Sequence, residues 1–338
     1  MNPRVSVIVP IYNVEDYVAE CITSLRKQTF GDFEAICVDS GSHDNSISVA
    51  QEAAGGDTRF RFIQGEDRGQ SVARNMALDV ARGDYLLNLD SDDYYLPHTL
   101  EALVGKADEE ALDLLFFAAK TFYENDELAH SNPEPHDDRA DIPGVLHGSD
   151  MYVRMEETGA FRPSACMFLM RRDLVERAGL RFEEGIIHED LLFTMMIFPI
   201  AKRTAFLNET FYQRRMRPGS TMTGQRGVRN IRGHLVASMR MEEWLKAHAT
   251  GYSQEFCDWY CHRIHRTWML VAEDVRTVGK SEIESFRESL SIDERIALAL
   301  HGVEPARFMD EIFNSTTWRV GHAMLAIPGA LKDRLKKH

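Results

Sequence analysis

The chain has no apolar run approaching the roughly 18 to 20 residues that a membrane-spanning helix needs. Its first apolar run, Val5 to Ile11, is short and contains Pro10, and no basic stretch precedes it, so neither a leader nor a spanning segment is expected. Cysteine is sparse. The five thiols, Cys21, Cys37, Cys166, Cys257 and Cys261, form no paired framework, and two sit inside strongly apolar runs, which fits a reducing cytoplasm. Positive charge is in deficit, with 39 Lys plus Arg against 53 Asp plus Glu, a net charge of -14. Such a field repels nucleic acid and excludes it as a partner. There is no internal repeat. What the chain does have is length, 338 residues at 44% hydrophobic, ample for a buried core.

From Val5 to about Phe117, short apolar runs alternate with amphipathic stretches, the pattern of strands joined by helical crossovers in a mostly parallel α/β sheet. Strands are predicted at Val5–Pro10, Phe33–Val38, Arg59–Ile63 and Tyr85–Leu89, with helices after the first three. A further strand is expected at Ala165–Met170, a helix over Leu191–Ile200 interrupted by Pro199, and helices after about Gly227. The segment from Tyr123 to Asp141 is polar, acidic and proline-containing, and reads as an exposed excursion. The expected division is a catalytic domain over residues 1–224 and a helical region over 225–338.

Ligands of open α/β sheets bind at the carboxyl ends of strands, so polar residues directly after apolar strands are candidates for one site. Tyr12-Asn13, Asp39-Ser40 and Asp90-Ser91-Asp92-Asp93 occupy such positions. Acidic clusters are ordinarily solvated turns, but this one follows a buried strand, and two carboxylates one residue apart suit a hard cation such as magnesium or manganese, completed by phosphate oxygens. Glu189-Asp190 precedes an apolar helix. A helix-start Asp is commonly a cap, yet it could equally take a proton from an attacking hydroxyl. Arg215 and Arg217, with Ser220 just beyond, form a basic cluster in an acidic chain. It reads either as an exposed loop or as a partner for phosphate oxygens. Arg74 is a similar, isolated case. Cys257, Cys261 and His265 lie four residues apart on a predicted helix; one helix rarely supplies a whole zinc site, and a core role is the expectation.

Together these motifs resemble the family 2 glycosyltransferases of GT-A fold, a group that includes many enzymes of bacterial exopolysaccharide, capsule and lipopolysaccharide assembly. The resemblance spans about Val5 to Thr223. It implies a Rossmann-like sheet flanked by helices and a sugar transfer from a nucleotide diphosphate donor, by single displacement with inversion, to a glycan or polyprenyl-linked acceptor. Carried over residue by residue, it implies donor contacts from Pro10, Tyr12, Asn13, Asp39, Arg74, Asp90, Ser91, Arg215, Arg217 and Ser220. It likewise implies a manganese or magnesium ion on Asp92 with Asp90, and catalysis from the Glu189-Asp190 segment, with Asp190 as base. The family commonly has two acidic residues where this chain has Asp39-Ser40, which bears on the choice of donor base.

The tail from Trp318 to His338 interleaves apolar and basic residues, a pattern suited either to packing or to an anionic membrane surface at the inner face of the cell membrane. Two rival functions share some of these features. A nucleotidyltransferase should carry a Gly- and Arg-rich phosphate loop after its first strand, and Pro10-Ile-Tyr-Asn13 is not one. A catalytically silent nucleotide-sugar-binding scaffold of a polysaccharide assembly complex is the alternative, opposed by intact Asp90, Asp92 and Asp190.

Overall fold

A computed structural model describes residues 2–131, 139–220, 223–224 and 226–303. The first part alternates β1 (Val5–Ile11), α1 (Val18–Arg26), β2 (Phe33–Asp39), α2 (Ser46–Ala54), β3 (Phe60–Gln64), α3 (Gln70–Val80) and β4 (Tyr85–Asn88). It continues through β5 (Tyr94–Tyr95), α4 (Thr99–Glu109), β6 (Leu114–Tyr123), α5 (Asp126–Ser131), α6 (Gly148–Glu157), β7 (Phe168–Arg171), α7 (Arg172–Ala178), α8 (Glu189–Ile200) and β8 (Thr204–Met216). Helices α9 (Val228–His248), α10 (Gln254–Thr277), α11 (Lys280–Ser289) and α12 (Ile292–Leu300) follow.

The strands form one eight-stranded sheet in the order β3-β2-β1-β4-β7-β6-β8-β5. Neighbours β3, β2, β1 and β4 are mutually parallel, as are β6 and β8; β7 runs antiparallel between β4 and β6, and β5 antiparallel beside β8. This is the mostly parallel sheet, flanked by helices and followed by a helical C-terminal region, that the alternating pattern predicts. Every residue of β1 and β2 is buried, as in a parallel sheet covered on both faces; that is why these strands read as predominantly apolar runs. Val18, Cys21, Ile22 and Leu25 face this core from α1 at helical spacing. An acid, Glu34, is buried among them. Glu34 on β2 is 3% exposed and is held by Ser6 Oγ at 2.8 Å, Arg82 at 2.7 Å and Arg61 at 3.1 Å. Burial pushes its carboxyl up, but these hydrogen bonds outweigh burial and leave it below the ordinary glutamate value.

By mutual packing the described residues divide into two compact units, those of 2–224 with Arg240–Arg263, and Arg226–Met239 with 264–303. In the second unit, the buried Asp274 accepts from Arg226 at 3.2 Å and contacts His234 Nδ1 at 3.1 Å. Among the described residues no helix is long and apolar enough to cross a membrane.

Four details depart from the pattern reading. Pro199 does not interrupt α8, which runs on to Ile200; the Met195 carbonyl, deprived of a partner by the missing proline N–H, accepts from Tyr260 Oη at 3.4 Å. The strand expected from Ala165 begins at Phe168, after a single 3₁₀ turn at Ala165–Met167. Gln213 to Met216 belong to β8 rather than to a loop. Cys261 and His265 are exposed and Cys257 half-buried, so these three are not core residues, and among the described residues no three His, Cys, Asp or Glu groups gather as a metal site. Helix α5, inside the predicted excursion, has no buried residue; residues 132–138 of that excursion, and the tail from Trp318, lie outside the described residues.

Candidate active site

The tips of β1 and β2 are stitched together. Asn13 adopts a left-handed backbone (φ 48°); its N–H donates to Ser42 Oγ at 3.2 Å, and its Oδ1 accepts from the His43 N–H at 2.9 Å. Asp39, 3% exposed, accepts from the Ser42 N–H at 3.0 Å and from Gln64 at 2.8 Å, which fixes both carboxylate oxygens. Beside it Ser40 is 1% exposed, and its hydroxyl has no partner among the described residues. Tyr12 is 44% exposed at the mouth of these loops, whereas Pro10 is buried, past the last residue of β1 that pairs with β4.

The acidic run leaves β4 and is seized by β8. Asp93, 4% exposed, accepts from the Tyr212 hydroxyl and, at 2.6 Å, from the Arg215 N–H. Arg215 Nε donates to the Asp92 carbonyl at 3.0 Å, while its far end pairs with Glu20 on α1 and lies over Phe122 and Tyr17. Arg217 Nε donates to Asp92 Oδ2 at 2.8 Å, with its guanidinium 4.8 Å from the Tyr17 ring centroid. Burial and the Asp90 charge raise the Asp92 carboxyl against the pull of Arg217; burial and both neighbouring aspartates raise Asp93 further. Ser91 is buried between them. Ser220 stands apart in a turn closed by Thr223, whose hydroxyl lies 3.1 Å from both the Ser220 N and its Oγ.

Arg74 joins the acidic run to α8. It is 2% exposed, and donates from Nη2 to Asp90 Oδ1 at 2.6 Å and from Nη1 to Glu189 Oε1 at 2.5 Å. Burial alone would lower its pKa, but Asp90 and Glu189 outweigh that and hold it above the ordinary arginine value. Gln70, one turn earlier on α3, also donates to Glu189 Oε1, and Glu189 Oε2 has no partner among the described residues. His188, the residue before α8, has φ 66°, so the chain enters the helix through a conformation uncommon for a non-glycine residue. Asp190 is not the cap but lies in the first turn, and its Oδ1 accepts from the Leu191 N–H at 2.8 Å. Burial first, and then the Glu189 charge, push its carboxyl up to about 7, although the residue keeps part of its surface open.

A divalent cation fits this set of donors. Asp90 and Asp92 are hard oxygen ligands two residues apart, and mutual repulsion within the acidic run is what a cation would relieve. Among the described residues no third ligand gathers, so the remaining positions would fall to phosphate and water. Of the residues singled out in the sequence, the fold draws Arg74, Asp90, Asp92, Glu189, Arg215 and Arg217 into a continuous network. Tyr12, Asn13 and Asp39 line the adjoining loops. Tyr212, Gln70 and Glu20, on ordinary strand or helix faces, and Tyr17, in the turn before α1, carry no local signal in the sequence; only the pairing of β8 with β5 brings Tyr212 to Asp93.

Residues 6–179 match the family described as Glycosyl transferase family 2. Over 229 residues the chain is 34% identical to the uncharacterized glycosyltransferase EpsJ of Bacillus subtilis (strain 168), covering 65% of this chain and 63% of EpsJ, so it spans under two thirds of that relative. In structure it resembles S. aureus TarS in complex with UDP-GlcNAc, with a TM-score of 0.61 at 22% identity over 91% of this chain and 83% of that one. It also resembles the mannosyltransferase PcManGT of Pyrobaculum calidifontis in complex with GDP-Man and Mn2+, with a TM-score of 0.52 at 18% identity over 96% and 84% of the two chains. With a family match over more than half its length on a GT-A sheet, the chain belongs to the family 2 glycosyltransferases.

Proposed function

We propose that the chain transfers a sugar, with inversion, from a UDP-sugar to a hydroxyl of a glycan or polyprenyl-linked glycan in the synthesis of a cell-surface polysaccharide. One observation carries the reading: the buried Arg74 guanidinium bonds both Asp90, at the acidic strand end, and Glu189, next to Asp190. Segments far apart in sequence thereby converge, as a donor site and an acceptor base must.

In this reading Tyr12 and Asp39 receive the uridine, with Pro10, Asn13 and Ser91 shaping the backbone around it. The UDP-GlcNAc bound to TarS agrees with that choice of base. Asp190, raised to about 7, takes the proton of the acceptor hydroxyl as its oxygen attacks the anomeric carbon. The bond from that carbon to the diphosphate breaks, and UDP leaves with the electron pair. Arg215, Arg217 and Ser220 lie on the segment that would meet the departing diphosphate. A magnesium or manganese ion held by Asp92 with Asp90 would supply further positive charge there, as PcManGT's Mn2+ suggests for this fold. Residues 1–224 would form the catalytic domain and 225–338 an appended helical region. The basic tail would rest on the inner face of the cell membrane, the rest of the chain being cytoplasmic.

The test is a panel of nucleotide sugars, assayed for binding and for release of nucleoside diphosphate with manganese, with magnesium and with chelator. Release of UDP that requires metal, is lost in Asp92→Ala, and loses transfer but keeps donor binding in Asp190→Asn is the expected result. Full turnover by Asp190→Asn would refute the assignment of the base. Donor binding without turnover by the wild type, whatever acceptor is supplied, would favour the nucleotide-sugar-binding scaffold.

A further inference from the structure

Asp90 and Asp92 each hold an arginine, but the two arginines are held very differently. Arg74 is buried, is locked to Glu189 and Asp90 at once, and lies mid-helix on α3. Arg217 lies one residue beyond β8, is followed by Pro218 and by Gly219 in a left-handed conformation (φ 73°), and donates to Asp92 alone among the described carboxylates. The two side chains of that pair are 16% and 20% exposed. A divalent cation arriving alone at Asp92 meets a guanidinium already on Oδ2, and two like charges a few ångströms apart in a half-buried site repel strongly. If a diphosphate arrives with it, the new anion can take both the cation and the guanidinium, and the repulsion is offset.

We propose that Arg217 is a positioning residue that makes divalent-cation binding conditional on the nucleotide: it occupies Asp92 until a diphosphate draws it away. The proposal rests on the metal role proposed for Asp92 and Asp90 above. It gives the Tyr17 ring a part as well, as the surface against which the guanidinium rests while it faces Asp92. Metal and donor then load as one unit, and a cation does not sit on the empty enzyme.

The test is Mn2+ binding to the full chain, followed by the loss of the free Mn(II) paramagnetic resonance signal, without and with saturating UDP, against a protein-free Mn2+–UDP baseline. Wild type is expected to bind Mn2+ at least about tenfold more tightly with UDP than without it, the size of effect an ion pair of about 1.4 kcal/mol gives. Arg217→Gln should bind Mn2+ alone about tenfold more tightly than wild type, and Arg217→Lys, which keeps the charge, should stay near wild type. Equal affinity of wild type with and without UDP would overturn the proposal, and this comparison stands even if a variant fails to fold. So would an Arg217→Gln protein that folds by circular dichroism and binds Mn2+ alone no better than wild type. Absence of Mn2+ binding even with UDP would remove the metal role itself, and this proposal with it; binding with UDP that ignores Arg217 removes this proposal alone.

Discussion

Replacing Glu189 by Gln should lower the pH at which transfer begins. Asp190 is raised from 3.8 to about 7, by burial first and by the Glu189 charge next, with Arg74 opposing. With Asp190 in its proposed role as base, which it can fill only when deprotonated, wild-type kcat/KM is expected to climb through about pH 7 and level off above it. In Glu189→Gln a negative neighbour is lost, and Arg74 keeps its charge with one carboxylate fewer to share it. Both changes favour the Asp190 carboxylate. Two unit charges roughly 6 Å apart at an effective dielectric of about 20 interact by about 3 kcal/mol, or about 2 pK units. The open part of Asp190 admits water and screening, so a downward move of about 1 unit in the acid limb is expected. The plateau should fall as well, because the neutral amide oxygen of the glutamine holds Arg74 and Gln70 less strongly than the carboxylate oxygen it replaces. The assay is the initial rate of UDP release with acceptor present, from about pH 5 to about pH 9. An acid limb that stays in place or moves up, in a protein with wild-type circular dichroism, would refute the electrostatic link between Glu189 and Asp190.

Three further outcomes are expected. Glu34→Gln should cost about 2 kcal/mol in urea denaturation at neutral pH. Because the folded Glu34 pKa is depressed, its contribution is complete above the unfolded value near 4.5 and lost as pH falls through the folded value, so the variant's stability should fall less in that window. Gly148→Ala places a Cβ 1.8 Å from the Phe198 carbonyl oxygen, so α6 and α8 must part; a loss of about 3 kcal/mol or more is expected, read as a fall in Tm, and an unchanged Tm would show that they separate freely. Removal of residues 318–338 should abolish flotation with anionic liposomes and leave release of UDP in solution intact; equal flotation of both forms would locate any membrane contact elsewhere.

The first half of the sheet was legible because β1, β2 and β4 are buried and therefore predominantly apolar, and because each ends abruptly in polar residues. β8 was not. Its last residues, Gln213-Arg-Arg-Met216, carry the charges of a loop, and they are in a strand because Asp93, Asp92 and Glu20 supply partners from elsewhere in the chain. Arg74 shows the same limit from the other side. In sequence it is one arginine on an amphipathic helix; its importance comes from two carboxylates 16 and 115 residues away, a distance no local pattern spans. Asp93 belongs with them. It reads as the third member of an acidic run, yet it faces inward to Tyr212 and serves to pin that run to the sheet.

The left-handed backbone at Asn13 and His188 has a consequence for how this enzyme can change. Among the described non-glycine residues only Asn13, Ala111 and His188 have positive φ, and two of these three sit in loops at the site. Such a conformation costs of order 1 kcal/mol for a residue with a Cβ, and glycine adopts it without that cost. His188→Gly would therefore relieve strain in the folded chain while loosening the direction in which Glu189 and Asp190 enter α8. Selection for heat resistance and selection for turnover would then pull position 188 in opposite directions.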